Sequence, residues 1–162
     1  MVNSETVLVL NLKRNKMKRT VLIIVGVLSL LFLFVNCNNE TEEEVKGGIE
    51  FQPLTFDAAI AKGKASHKIV FIDAYATWCG PCKQLSKKTF VDKKVAELFN
   101  AKFVNVKMDV DQAEGKKFAE KFEINSIPTL LFFDENGKLL KQVKGFHTPN
   151  ELIQEANSVL GK

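Results

Sequence analysis

Residues 69–75 (IVFIDAY) form a seven-residue run that is apolar except for one aspartate, Asp73. A run of this kind reads as a strand covered on both faces, so the chain has to supply helices on either side of a sheet. It does. Residues 55–64 place Phe56, Ala59 and Ile60 on one helical face behind Thr55, a fair N-cap. Residues 81–100 carry Leu85, Phe90, Val95, Leu98 and Phe99 at helical spacing, with an interruption expected at Thr89–Asp92. Residues 112–122 repeat the pattern through Ala113, Phe118, Ala119 and Phe122, and Thr148-Pro149 with Glu151 opens a last helix as N-cap, N1 and N3. Between them, 103–110 and 129–134 read as strands, and Glu135-Asn136-Gly137 turns the chain into a partner strand at 138–144. The order is β-α-β-α-β-α-β-β-α. Helical crossovers join parallel strands and a two-residue hairpin joins antiparallel ones. The expectation is therefore an α/β fold with a central mixed sheet and helices on both faces. Thirteen phenylalanines in a chain that is 46% hydrophobic can fill two such layers; Phe71, Phe99, Phe103, Phe118, Phe122, Phe132 and Phe133 are assigned to the core, with Met108 as filler.

The first 48 residues do not share this pattern. Residues 21–35 (VLIIVGVLSLLFLFV) are uncharged and follow Lys18 and Arg19. Fifteen residues fall short of the roughly 20 that span a bilayer, and suit the apolar region of a signal peptide. Met17 is a plausible start for that signal. Cys37 stands where the run ends, and the junction resembles the lipobox of bacterial lipoproteins, with Leu33 and Val35 close in character to that pattern but Phe34 and Asn36 in two of its positions. Three readings stand here: a lipid-modified Cys37, a retained apolar anchor, and ordinary cleavage. All put the rest of the chain outside the cytoplasm, and the first, an envelope lipoprotein facing the periplasm, is the expectation taken forward. Residues 38–48 (NNETEEEVKGG) are too polar to fold and read as a flexible acidic tether, leaving 49–162 as the domain.

The formal charge of +4 comes from the leader. Residues 1–36 hold five basic groups and one acidic group, which leaves 18 of each beyond them, and both arginines lie in that first piece. Nothing here points to nucleic acid. Lys87, Lys88, Lys93 and Lys94 read as a solvated helix face, and His67 and His147 as surface residues.

The chemistry gathers at Trp78-Cys79-Gly80-Pro81-Cys82-Lys83, just after the buried strand and at the start of a helix. Two cysteines with two residues between them can close a small disulfide there. The first lies ahead of the helix's free N–H groups, where the dipole favours a thiolate; the second lies inside the helix and is shielded. One sulfur attacks and the other resolves. The competing reading of a CxxC is half of a zinc site, and neither histidine has ligand spacing to this one.

The segment Trp78–Lys83 resembles the thioredoxin active-site motif, and the resemblance runs over roughly residues 50–161. Asp73, six residues before Cys79, matches that family's buried aspartate. Lys107 matches its partner lysine, Ile127-Pro128-Thr129 its cis-proline loop, and Gly145 its groove glycine. The stretch YATWCGPCKQLSKKTFVDKKV also resembles the C-terminal domain of transmembrane thiol–disulfide interchange reductases, whose central dipeptide is usually not Gly-Pro. The resemblance implies a thioredoxin fold. It also implies a protein-disulfide reductase that needs no cofactor or metal, takes electrons from a membrane or soluble donor, and acts as a monomer on protein disulfides. On that basis Cys79 is the nucleophile and Cys82 the resolver. Asp73 accepts the Cys82 proton with Lys107 moderating it, the alternative for the pair being a purely structural ion pair. The substrate groove is formed by Trp78, Gly80, Pro81, Ile127, Pro128 and Gly145, with Tyr75 and Phe146 either on its rim or in the core. An oxidase or isomerase on the same fold and a non-catalytic binding module are the rival functions.

Overall fold

The structure, a computed structural model, describes residues 47–161. The leader, Cys37 and all of the tether before Gly47 lie outside the described residues. Gly48, expected as the end of a flexible tether, is part of the domain. It is buried, its amide-side turn has φ +85°, and an added Cβ would stand 2.6 Å from the Phe90 carbonyl oxygen. Its carbonyl accepts from Asn100 Nδ2 at 3.2 Å, and Ile49 N donates to Phe90 O at 2.7 Å. Only glycine tolerates that conformation in that space.

The elements are α1 (Phe56–Ser66), β1 (Ile69–Tyr75), α2 (Gly80–Gln84), a π-helical turn (Leu85–Thr89), α3 (Lys93–Lys102), β2 (Phe103–Asp109), α4 (Ala113–Lys121), β3 (Thr129–Phe133), β4 (Leu139–Lys144) and α5 (Pro149–Leu160). The sheet order is β2-β1-β3-β4, with β1 and β2 parallel and the other two pairs antiparallel. The mixed sheet is as expected. The leading strand is not: it survives as one parallel bridge, Gln52 to Val106. The reason is local. Pro53 has no N–H to donate, and Leu54 N folds back onto Gln52 O at 2.9 Å, so the pairing stops after one residue.

Alternation along the strands divides the interior into two layers. Phe71, Phe103, Leu130 and Phe132 face α3 and α5, where they meet Val95, Phe99, Leu152 and Ala156. Val70, Ile72, Ala74, Val104, Val106, Leu131 and Phe133 face the other way, onto Ala59 and Phe118 of α1 and α4. Phe71 lies 4.7 Å from the Phe99 ring and 5.1 Å from Phe132, centroid to centroid. A fully buried ring of this kind contributes about 3 kcal/mol from its apolar area. Of the phenylalanines assigned to the core, Phe122 is half-buried and the others are buried.

Two caps behave as read. Thr55 Oγ1 accepts from Ala58 N, and Thr148 with Glu151 closes a reciprocal capping box. The hairpin differs. Its loop is Glu135-Asn136-Gly137 as read, but it is not a two-residue mirror-image turn: Asp134 N donates to Lys138 O and Gly137 N to Asp134 O, and Gly137 alone in the loop has positive φ, +81°. The Asp134 carboxylate accepts from Asn136 N and Lys138 N, both at 2.9 Å. That local bond favours an ordinary turn followed by a left-handed glycine over the mirror-image turn Asn-Gly suggests.

Gly115 and Gly80 are opposite cases. A Cβ on Gly115 would overlap the Asp109 carbonyl oxygen at the end of β2, whereas one on Gly80 meets nothing within 4 Å. Gly115→Ala should lower the unfolding free energy by about 2 kcal/mol or more, although alanine's helix propensity alone favours it by about 1 kcal/mol. Gly80→Ala should change it by less than about 0.5 kcal/mol. Urea denaturation of the oxidised proteins checks both.

Candidate active site

β1 ends at Tyr75, and after four intervening residues the chain enters α2 at Gly80. Cys79 is the N-cap of that helix and Cys82 lies inside it, with Gly80 and Pro81 as its first two residues. The two cysteines form a disulfide. Cys79 Sγ also accepts a hydrogen bond from Cys82 N at 3.2 Å. A sulfur in this position receives the N–H of the third helical residue, one of the free donors of the first turn, which favours negative charge on it once the disulfide is opened. Both cysteines are nearly enclosed in this state, at 3% and 2% exposure, so the expected difference in accessibility is not present in the closed disulfide. Tyr75, Val110 and Ile127 pack around the pair.

Beneath the disulfide lies a buried charge. In the parallel register of β1 and β2, Asp73 stands opposite Lys107. Period-2 alternation puts both on the face that carries Phe71, under the disulfide-bearing helical segment rather than under α1. Asp73 is fully buried, and Lys107 Nζ donates to its Oδ2 at 2.6 Å. Asp73 Oδ1 has no hydrogen-bond partner among the described residues. Burial raises the carboxyl above its ordinary range, and the charge and hydrogen bond of Lys107 pull it partly back. Tyr75 is also raised, first by burial and then by Asp109 and Asp73.

Lys107 itself sits in an aromatic cage. Its Nζ lies 4.5 Å from the Tyr75 ring centroid, 5.0 Å from Phe51 and 5.3 Å from Phe90, and it also donates to Ser86 Oγ at 3.2 Å. Lys107, Ser86, Cys82 and Tyr75 line one pocket of about 250 Å³, with the exposed Lys83 and Lys87 at its wall. Ser86, Phe51 and Phe90 were not among the residues expected here. Ser86 had a signal, since it follows Cys82 by one helical turn; Phe51 had none, because it reaches Lys107 only through the Gln52 bridge.

The remaining expected residues converge on the other side of the disulfide. The Ile127–Pro128 peptide is cis, and Pro128 O accepts from Gly145 N at 2.8 Å, so Gly145 (φ +89°) closes onto the proline loop. Thr129 Oγ1 holds that loop through Ser126 O at 2.6 Å. Trp78 is 68% exposed, with its Nε1 donating to Asp111 Oδ2 at 2.8 Å. Asp111 was missed because it belongs to a loop after β2 with no local motif. Phe146 is 37% exposed and so belongs to the surface and not the core; Tyr75 is half-buried and contributes to both. Among the described residues no helix is long and apolar enough to cross a membrane.

Comparison with known proteins agrees with this geometry. A family model described as a thioredoxin-like domain matches residues 56–160. Thiol:disulfide interchange protein DsbD of Pseudoalteromonas atlantica is 34% identical over 108 residues, which cover 65% of this chain and 18% of that protein. DsbD of Yersinia pestis is 33% identical over 124 residues, covering 72% and 20%. The chain thus spans about a fifth of the length of these curated relatives. A solution structure from Bacteroides thetaiotaomicron is 38% identical with a TM-score of 0.64, covering 70% of this chain and 94% of that one. A Thermus thermophilus thioredoxin, 23% identical with a TM-score of 0.63 and coverage of 70% and 88%, shares the fold. The match over 56–160 encloses the disulfide, the Asp73–Lys107 pair and the cis-proline loop alike: this chain belongs to the thioredoxin-like family, and its Cys79–Cys82 pair is that of a thioredoxin-type thiol–disulfide oxidoreductase.

Proposed function

We propose that this protein reduces protein disulfides outside the cytoplasm while held at a membrane by its N-terminus. The observation that carries the chemistry is the Cys79–Cys82 disulfide, with Cys79 Sγ capping α2 and the Asp73–Lys107 pair buried beneath it. In the reduced enzyme the Cys79 thiolate attacks one sulfur of a substrate disulfide. A Cys79–substrate disulfide forms, and the first substrate sulfur leaves as a thiolate. Cys82 then gives its proton to Asp73 and attacks Cys79 Sγ. The second substrate sulfur leaves and takes up a proton, and the Cys79–Cys82 disulfide is restored. Two electrons pass to the substrate, and a donor dithiol must return them. Trp78, Gly80, Pro81, Ile127 and Gly145 form the surface on which the substrate lies, with Pro128 buried beneath it and the backbone beside that cis-proline offering pairing to an extended segment.

The reducing direction is favoured by the neutral Gly-Pro dipeptide, since oxidising relatives of this fold place a positive charge there to hold the thiolate. The second reading is isomerisation, favoured by the Bacteroides homologue, which is named as a candidate disulphide-isomerase. Equilibration with glutathione buffers separates them: a potential near that of thioredoxin, about −270 mV, supports the reductase, and one near −180 mV supports the isomerase. We also propose residues 1–37 as a lipoprotein signal with lipid on Cys37, and the residues up to Gly47 as a tether.

Cys79→Ser should abolish insulin reduction, and Cys82→Ser should accumulate mixed disulfides visible on non-reducing gels. Asp73→Asn should slow resolution of the mixed disulfide by about tenfold to a hundredfold while leaving the first attack little changed, read in single-turnover kinetics. The same variant reports on folding. Because the folded carboxyl is raised above 3.8, the parent's contribution from this group is largest below that pH and declines as pH rises through the raised value. The stability difference should therefore move in favour of Asp73→Asn from about pH 4 upward, in urea titrations of the oxidised proteins. Finally, Cys37→Ser should release the protein from membranes; retention at unchanged size would favour an uncleaved anchor.

A further inference from the structure

We infer that Ser86 is a positioning residue for the resolving step: its hydroxyl holds the Lys107 ammonium while Asp73 carries the proton taken from Cys82. This rests on the reading of Asp73 as the proton acceptor.

Lys107 is the group to be held. Its ammonium has three N–H groups. One goes to Asp73 Oδ2 at 2.6 Å and one to Ser86 Oγ at 3.2 Å, and the rings of Tyr75, Phe51 and Phe90 surround the rest. Rings offer a cation their faces but no lone pair, so the serine oxygen is the one neutral acceptor the ammonium has among the described residues. When Asp73 takes a proton from Cys82, its charge is lost and the bond to Lys107 weakens from charge-assisted to ordinary. Lys107 is then a cation in an apolar cage, with its side chain only 26% exposed. The Ser86 hydroxyl supplies the bond that keeps it there. It does so more in the state with neutral Asp73 than in the state with the ion pair, and so favours the protonated carboxyl.

The local fold explains why a serine reaches this place. Ser86 lies in the π-helical turn Leu85–Thr89, closed by Phe90 N onto Leu85 O at 2.9 Å. Thr89 Oγ1 ties that turn to His147 O at 2.6 Å. The turn is closed across its own length and tied to the rest of the fold at its C-terminal end, and turns of this type are frequent at functional sites. The groups that face Asp73 and Lys107 are known. From β1 there is Tyr75, from β2 Asp109 acting on that tyrosine, from α2 Cys82 and the exposed Lys83, and from the π turn Ser86 and the exposed Lys87. None but Ser86 and Asp73 accepts from Lys107.

Removing the hydroxyl destabilises neutral Asp73 beside charged Lys107, so the carboxyl becomes harder to protonate and a weaker base. The test uses the reduced protein and an aromatic disulfide whose released thiolate absorbs visible light, in stopped flow from pH 5 to 9. The first thiolate reports attack by Cys79 and the second reports resolution by Cys82. In Ser86→Ala the acid limb of the second phase should move down by about half a unit to one unit and its plateau should fall about threefold, with the first phase unchanged. Ser86→Thr, which keeps the hydroxyl, should restore the parent profile. A merely structural role would shift the melting temperature and leave the limb where it was. An unmoved limb in Ser86→Ala, with a slow second phase in Asp73→Asn, overturns the role of Ser86 alone. A parent-like second phase in Asp73→Asn overturns the acceptor reading, and this inference with it.

Discussion

Asp73 is a carboxylate with no exposure in the middle of an apolar strand, answered by one ammonium at 2.6 Å and leaving one oxygen unpartnered. Burying such a group costs several kcal/mol unless it is paired, and breaking a buried pair is worse than never having made it. Much else follows from where the answer comes from. Lys107 is on the neighbouring strand, so the two meet only if β1 and β2 run parallel in this register. Moving the register by one residue would turn Lys107 to the face that carries Val104, Val106 and Met108. The charge pair thus pins the sheet at the end where the disulfide lies.

The aromatic side chains do the corresponding work on the ammonium. Phe90 comes from the end of the π-helical turn, Phe51 from the segment bridged through Gln52, and Tyr75 from the end of β1. Three parts of the chain that are far apart in sequence therefore share one cation. Two of the rings also reach Phe71, Phe51 at 6.4 Å and Phe90 at 6.3 Å, so the cage is continuous with the core facing α3 and α5. The site inherits its rigidity from that layer. In its proposed role Asp73 changes protonation without moving, and such support serves that role, because slack would let water in and return the carboxyl toward its ordinary range.

The two sides of the disulfide differ in character. Toward Cys82 the surroundings are a buried acid, a caged cation and a pocket. Toward Cys79 they are an exposed indole, a cis-proline loop and a glycine with positive φ and open space around it. One side suits proton transfer and the other suits the approach of another chain. The capping bond from Cys82 N to Cys79 Sγ belongs to the helix terminus itself and needs no side chain from elsewhere.

The amino-acid sequence alone determined the helices, the four strands of the sheet and the residues flanking the disulfide, because these depend on periodicity and on short spacings. IVFIDAY announces a doubly covered strand, and Thr148-Pro149 with Glu151 announces a helix start, whatever the remainder does. The Asp73–Lys107 pair could be named only through family resemblance. Its partners Ser86, Phe51 and Phe90 were not assigned to the site, because which residue stands over a lysine on the next strand is set by strand register and by the path of a helix with an inserted π turn. The same holds for Asp111 against Trp78. Gly48, the single Gln52 bridge and the type of the hairpin turn were misread for a related reason. Each turns on a local competition, between a positive φ and a close carbonyl, a proline and a ladder, or a carboxylate and a turn type. The folded surroundings decide such contests, and composition does not.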